Sequence, residues 1–459
     1  MKSQIGLVAV GLGALLAFPA GAQEADLKTK VEELEQELRI VKRRLELDKE
    51  VATEKSKTAP VLSAGANGFS LRSADTNFVM KIRGYVQADA RFFPDDAAAA
   101  AANDSFLLRR VRPIIEGTVW DKFDYRVMLD FGSNLSLSSA NDPFVQDAYV
   151  NARFLPEFQV QAGKFKEPVS LERLQSGANL LFVERAYTAQ MAPNRDVGFQ
   201  IQGDLFDAKL NYSIGAFNGV ANGGSGDYET FDDEKDIVAR VFATPFKDSN
   251  VDAIRGLGFG VAGTFGNQEG SLRGFVSAGQ QTMFSYNPAN VGTNQVTVVA
   301  DGEHWRIAPQ TYYYYGPFGI FGEYIISNQK VRKNNPTEFA TFRNAAWSVS
   351  ASYFLTGEDN SFKAVTPKRP FKPSEGGWGA FELAARVQHI DIDDRVFPLY
   401  ANPNTSTSGA LTWGVGLNWH LNKNFKVNLN YEKTDFDGGT SALLAHGEDV
   451  IMTRAQISF

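Results

Sequence analysis

The side chains able to do chemistry in this chain are arginines and lysines that recur at every second position of short apolar and polar alternations. Arg83, Arg110, Arg112, Arg126, Arg153 and Arg240 each fall on the polar face of a segment whose other face is apolar. A guanidinium carries a permanent charge and a planar fork of donors that matches an oxyanion, so a row of them replaces the water around a passing anion. With Lys81, Arg91, Arg306, Arg386, Lys426 and Arg454 the polar faces carry twelve bases. Eight acids share them: Asp89, Glu116, Asp130, Asp147, Asp204, Glu323, Glu382 and Glu432, which leaves +4. The bland alternative is that these charges pair across strands and only stiffen a wall.

A second group lies in a single stretch, 165–196. Lys166, Arg173, Arg185 and Arg195 stand there beside Glu167, Glu172, Glu184 and Asp196. The balance fits a salt-bridged lid as well as a selectivity filter, and Lys166, Arg173 and Arg185 are its candidate functional cations. Other chemistries are poorly provided for. The chain has no Cys, which removes thiolate metal sites, disulfides and Cys nucleophiles. Its four histidines, His304, His389, His420 and His446, have no recognisable catalytic setting, so no catalytic residue, cofactor or metal site is expected. A net charge of −7 offers no field for nucleic acid.

The elements that must position these charges are strands. From Phe78 onward the dominant period is two, and sixteen alternating segments follow, ending with Val450 to Phe459. Their connections alternate in length. Phe93 to Ser105 and Gly132 to Phe144 are long, while Lys122 to Asp124, Gly316-Pro317 and Asn422-Lys423-Asn424 are short. The stretch from Thr356 to Gly377 breaks this rhythm. Alternating connections predict an all-β fold, a 16-stranded antiparallel transmembrane β-barrel with long loops outside the cell and short periplasmic turns. The apolar faces then meet lipid, the polar faces meet a wet lumen, and 165–196 is the third outer loop. Trp378, Trp413, Trp419, Tyr431 and Tyr312 to Tyr315 sit near strand ends, where interfacial girdles would hold them.

The ends of the chain name a compartment. Lys2, the apolar run Ile5 to Phe18 and Ala20-Gly21-Ala22 read as a signal peptide over 1–22, because the run is too short to span a bilayer. Leu27, Val31, Leu34, Leu38, Val41 and Leu45 follow at heptad spacing, which predicts a short periplasmic coiled-coil helix over 23–52. A linker is expected over 53–76 and the barrel over 77–459. The chain ends on the alternating apolar run Ile451 to Phe459, an ending that resembles bacterial outer-membrane barrels.

Several motifs together resemble the phosphate-selective porins O and P of Gram-negative bacteria. They are Phe106 to Arg112, Gly163-Lys164-Phe165-Lys166-Glu167-Pro168 with Ser170-Leu171-Glu172, and Val183-Glu184-Arg185. Gly279-Gln280-Gln281, Ala300-Asp301-Gly302, Pro309-Gln310, Gly316 to Gly319 and Gly322-Glu323-Tyr324 continue the likeness. The resemblance implies a homotrimer in the cell outer membrane, among outer-membrane lipid and lipopolysaccharide, giving facilitated diffusion to small phosphate-like inorganic anions. The alternatives are a general, weakly selective porin and, from another class, an outer-membrane enzyme or an adhesin-type barrel.

Overall fold

A computed structural model describes residues 20–94, 102–132, 145–226, 233–287, 297–334 and 336–459. Most of the expected signal peptide, 1–22, lies outside these. The first unit is one helix, α1 (Ala20–Thr58). Leu27, Val31, Leu34, Leu38, Val41 and Leu45 are all exposed along it.

The second unit, 61–459, is a sheet closed on itself. It opens with a hairpin, β1 (Val61–Gly65) and β2 (Gly68–Arg72). The barrel strands are β3 (Val79–Phe92), β4 (Ser105–Val119), β5 (Phe123–Leu129), β6 (Val145–Leu155), β7 (Phe158–Lys166), β8 (Arg195–Leu205), β9 (Leu210–Phe217), β10 (Asp236–Ala243) and β11 (Leu257–Ser271). A small hairpin, β12 (Phe275–Val276) and β13 (Thr282–Phe284), belongs to the connection that follows. The wall resumes with β14 (Val298–Tyr315), β15 (Phe318–Lys333), β16 (Glu338–Phe354), β17 (Ala380–Asp391), β18 (Gly409–His420), β19 (Phe425–Asp437) and β20 (Glu448–Ser458). Antiparallel pairing of β20 with β3, from Ile451↔Phe92 to Ser458↔Tyr85, completes the ring of sixteen.

The alternation of the sequence explains why this sheet suits lipid. Leu383, Val387, Trp413, Val415 and Leu417 face outward and are exposed, while their neighbours Arg386, Gln388, Thr412 and Asn418 face inward and are buried. That inverts a water-soluble protein. In hydrocarbon every backbone group has to be paired within the sheet, and a closed barrel leaves no edge unpaired. No described helix is long and apolar enough to cross a membrane. Of the expected girdle residues, Trp378, Trp413 and Tyr315 are exposed, and Trp419 packs with Phe371 and Phe381 at the short-turn end. Tyr312 differs: its ring packs on Phe242 and Phe362, in a cluster with Leu171 of the third loop inside the barrel.

One segment departs from the sequence reading. Residues 53–76, expected as a linker, continue α1 to Thr58 and then form the β1–β2 hairpin. The overlooked signal is Asn67-Gly68 between short apolar alternations, with Gly68 at φ +87° where a side chain would be strained. β2 pairs with β3 from Phe69↔Ile82 to Arg72↔Val79, the stretch beyond the reach of β20. Asn67 accepts from Lys423 at 2.5 Å, Ala66 O accepts from Asn424 at 2.8 Å, and the Phe69 ring meets Phe459 edge-on at 6.5 Å. The hairpin thus clasps the seam where the first and last barrel strands meet. The connection 355–379, in which the sequence breaks the rhythm of short turns, turns into the lumen.

Phe69→Ala removes the aromatic contact at that seam. The folded barrel is expected to lose about 1 kcal/mol, read as a lower thermal midpoint in detergent. An unchanged midpoint would mean the hairpin merely lies on the seam.

Candidate functional site

β7 and β8 are neighbours in the wall, with Lys166 opposite Arg195, yet the loop between them crosses to the far side of the lumen. Inside a barrel its peptide groups lose water and need partners. The far wall supplies them from side chains on one strand after another. Gln310 of β14 donates to Val169 O at 2.8 Å, and Glu323 of β15 accepts from Ser170 Oγ at 2.9 Å and Glu172 N at 2.8 Å, capping the short helix α2 (Leu171–Leu174). Gln388 of β17 accepts from Tyr187 N at 2.8 Å, at the start of α3 (Tyr187–Met191). Asn418, Lys426, Asn430, Gln456 and Gln87, on β18, β19, β20 and β3, bind Leu181 O, Leu180 O, Val183 N, Ala178 O and Gly177 O. The loop is laid against the wall from β14 round to β3, and its cavities lie on the other side, against the wall from β4 to β10.

This course sorts the charges. Glu184 points to the wall, where Arg109 reaches it at 2.7 Å, Arg91 at 2.9 Å, Arg454 at 3.7 Å and Arg110 at 3.9 Å. Arg454 also grips Asp89 with two bonds of 2.7 Å. Arg386 stacks on Phe182, pairs with Glu432 at 2.6 Å and donates to Glu184 O at 2.9 Å. Glu172 accepts from Ala186 N at 2.8 Å. Glu167 is fully buried; burial, with Asp196 and Asp236 nearby, pushes its carboxyl well above the ordinary value.

The loop's cations behave differently. Lys166 donates to Leu174 O and Gln175 O, Arg185 to Glu172 O and Gln175 O, and Arg173 to Ala189 O. None of the three makes an ion pair among the described residues. They line two cavities on the open side of the loop that share Arg195. The one toward the long loops holds Arg109, Arg110, Arg112, Arg173, Arg185 and Arg273, with Asp130 and Glu184 as its carboxylates. The other holds Lys166, Arg126, Arg240 and Tyr85, with Asp147.

The expected wall residues fall into two groups. Arg110, Arg112, Arg126 and Arg240 line the cavities. Arg110 bonds Gln87 at 2.8 Å, Arg112 pairs with Asp130 at 2.6 Å, Arg126 with Glu116 at 2.8 Å and Asp147 at 3.1 Å, and Arg240 is held by Gln310 at 3.0 Å. Arg83 and Arg153 lie at the short-turn end, paired with Glu116 at 2.9 Å and Asp124 at 2.7 Å, and line neither cavity. Not all of the expected lining charges reach the lumen: Arg91, Arg306, Arg386 and Arg454 are fully buried, and Asp89 and Glu432 are buried with them as the partners of Arg454 and Arg386.

Sequence reasoning did not single out Arg109 or Gln190. Alternation turns Arg109 toward lipid. A bulge, where Gln87↔Arg110 is followed by Ala88↔Leu108, leaves Arg109 as the extra residue and lets it reach Glu184. Gln190 makes two bonds of 2.8 and 2.9 Å to Val276 of β12, tying the next inward segment to the loop.

A closed sixteen-stranded wall with an apolar exterior, a polar interior and a loop narrowing the lumen defines a channel of the outer membrane, a porin rather than an enzyme. The chain belongs to the phosphate-selective porin O and P family, whose sequence model matches residues 80–459. Porin O of Pseudomonas aeruginosa is 24% identical over 426 residues, covering 87% of this chain and 93% of that protein. The outer membrane channel DcaP of Acinetobacter baumannii is similar in fold, with a TM-score of 0.51 at 10% identity over 83% of this chain and 98% of its own.

Glu184→Gln strips a buried carboxylate from its arginines, a change that costs about 3–5 kcal/mol where a buried pair is broken. Lower thermal stability and a noisier, larger conductance are expected in planar bilayers; a wild-type trace would contradict the anchoring role. Burial raises the Glu184 carboxyl, but Arg109, Arg91, Arg110 and Arg454 outweigh it and hold it well below the ordinary range. A depressed folded-state value means the anchor is intact above the ordinary carboxylate pKa of about 4.3 and fails only as pH falls through the depressed value. Conductance noise should therefore stay flat from neutrality to about pH 5. A rise within that window would contradict the assignment.

Proposed function

We propose that this porin passes small oxyanions of the phosphate type by facilitated diffusion, through the gap between the third loop and the wall from β4 to β10. One observation carries the reading: Lys166, Arg173, Arg185 and Arg240 face that gap, and among the described residues their contacts are with carbonyl or amide oxygens or a ring, with no carboxylate in ion-pair contact. Burial, and repulsion from Arg185 and Arg195, push Arg173 well below its ordinary value. Burial also lowers Arg185, to about 10, against the pull of Glu172, and it stays charged at neutral pH. An anion in the gap relieves both repulsion and desolvation. Partners that are carbonyls rather than carboxylates also leave the anion free to depart, which conduction requires.

Arg110, Arg112 and Arg126 form the wall of this path, and Arg83 and Arg153 its periplasmic rim. The family description and the likeness to Porin O support a phosphate-type substrate. The wall carboxylates Asp130, Asp147 and Glu116 favour a second reading, a general anion pore of modest selectivity. The mature protein, after loss of residues 1–22, is a homotrimer in outer-membrane lipid and lipopolysaccharide, and the exposed heptad seam of α1 joins three chains as a periplasmic coiled coil.

Planar-bilayer recording tests this. Under a KCl gradient the zero-current potential should take the sign of chloride permeation, and added phosphate should block the chloride current. Substituting Gln for Lys166, Arg173 or Arg185 removes a charged donor to the anion, so each should weaken the block about tenfold. A cation-selective wild type would overturn the proposal, and an anion-selective pore that phosphate does not block would establish the general reading.

A further inference from the structure

The connection between β16 and β17 joins neighbouring strands at the short-turn end, where a few residues suffice, yet it runs from 355 to 379. Asn360 draws it inward, donating from its backbone to Gly316 O at 2.7 Å and from its side chain to Ser352 Oγ at 2.8 Å. Two residues later Phe362 meets the third loop from below. Its carbonyl accepts from Gln175 Nε2 at 2.9 Å, and its ring stacks on Tyr312 at 5.8 Å with the planes 23° apart.

Each contact leads to cations of the passage. The carbonyl of Gln175 is a shared acceptor, taking Lys166 Nζ at 2.9 Å and Arg185 Nη2 at 2.8 Å. Tyr312 packs on Phe242 at 5.0 Å, and the Arg240 guanidinium lies 4.7 Å over the Phe242 ring. Phe362 is therefore one residue from the hub of two cations and two rings from a third. These are three of the four charges without a carboxylate partner on which the proposed function rests.

We propose that Phe362 is a positioning residue for anion selectivity: the inserted segment, reaching up from the periplasmic side, fixes Lys166 and Arg185 through Gln175 and Arg240 through the Tyr312–Phe242 stack. The inference rests on the proposed anion path. It adds that the selective geometry is set from the turn end of the barrel as well as by the loop's attachment to the wall. A planar ring is needed at 362 because the stack transmits position only through a flat face; a smaller side chain leaves Tyr312 and Phe242 free to tilt.

The test uses the full-length protein in planar bilayers, comparing wild type, Phe362→Ala, Phe362→Tyr and Gln175→Ala. Phosphate block of the chloride current should weaken about tenfold in Phe362→Ala and Gln175→Ala, with the anion sign of the zero-current potential kept. Phe362→Tyr, which retains the flat ring, should match wild type. Should Phe362→Ala not assemble, Phe362→Leu, which keeps an apolar side chain of similar bulk without the flat ring, carries the comparison and should weaken the block likewise. A larger chloride conductance with unchanged phosphate block would overturn the inference and reduce the insert to a filler. A wild-type channel without anion preference would instead overturn the proposed function.

Discussion

A loop laid against the inside of a barrel takes its peptide groups out of water, and each must be met from the wall. Here the wall meets them with side chains of Gln, Asn, Lys and Glu on every strand but β16 from Gln310 on β14 round to Gln87 on β3. Everything else about the lumen follows from that attachment. It fixes which side of the loop is dry and which is wet. It also decides that the passage runs along β4 to β10, because the opposite strands are occupied.

The electrostatics follow the same division. Carboxylates and guanidiniums neutralise one another in a dense network around Asp89 and Glu432 that extends through Glu184 to the edge of the cavity. Such burial is expensive, and the close pairing of opposite charges offsets the cost. On the wet side the loop's cations lean on carbonyl oxygens, which stabilise a charge without cancelling it. A segment whose composition is neutral therefore presents a positive face. Composition could not reveal this, because it counts charges without saying which way they point.

How much of this was legible in the sequence depended on periodicity. The strands were, since a period of two imposes both the element and its two faces, and alternating connections imposed the barrel. The third loop has no period, so Lys166 and Glu167 stand side by side in the chain and face opposite environments. Arg109 escaped because a bulge breaks the alternation used to orient it. Arg386 and Arg454 were correctly turned inward by register, but a register cannot say that a loop lies over them. The hairpin at 61–72 had a local signal in Asn67-Gly68, masked by strands of only five residues.

The central claim, that the loop turns Lys166, Arg173 and Arg185 to the passage and buries Glu167 and Glu172 away from it, can be tested without competing thiols because the native chain has no cysteine. Arg185→Cys and Glu172→Cys are to be compared for the rate at which an anionic, membrane-impermeant thiol reagent alters the current through single channels. The account predicts rapid modification at 185 and protection at 172. Equal rates at both positions, or faster reaction at 172, would contradict it.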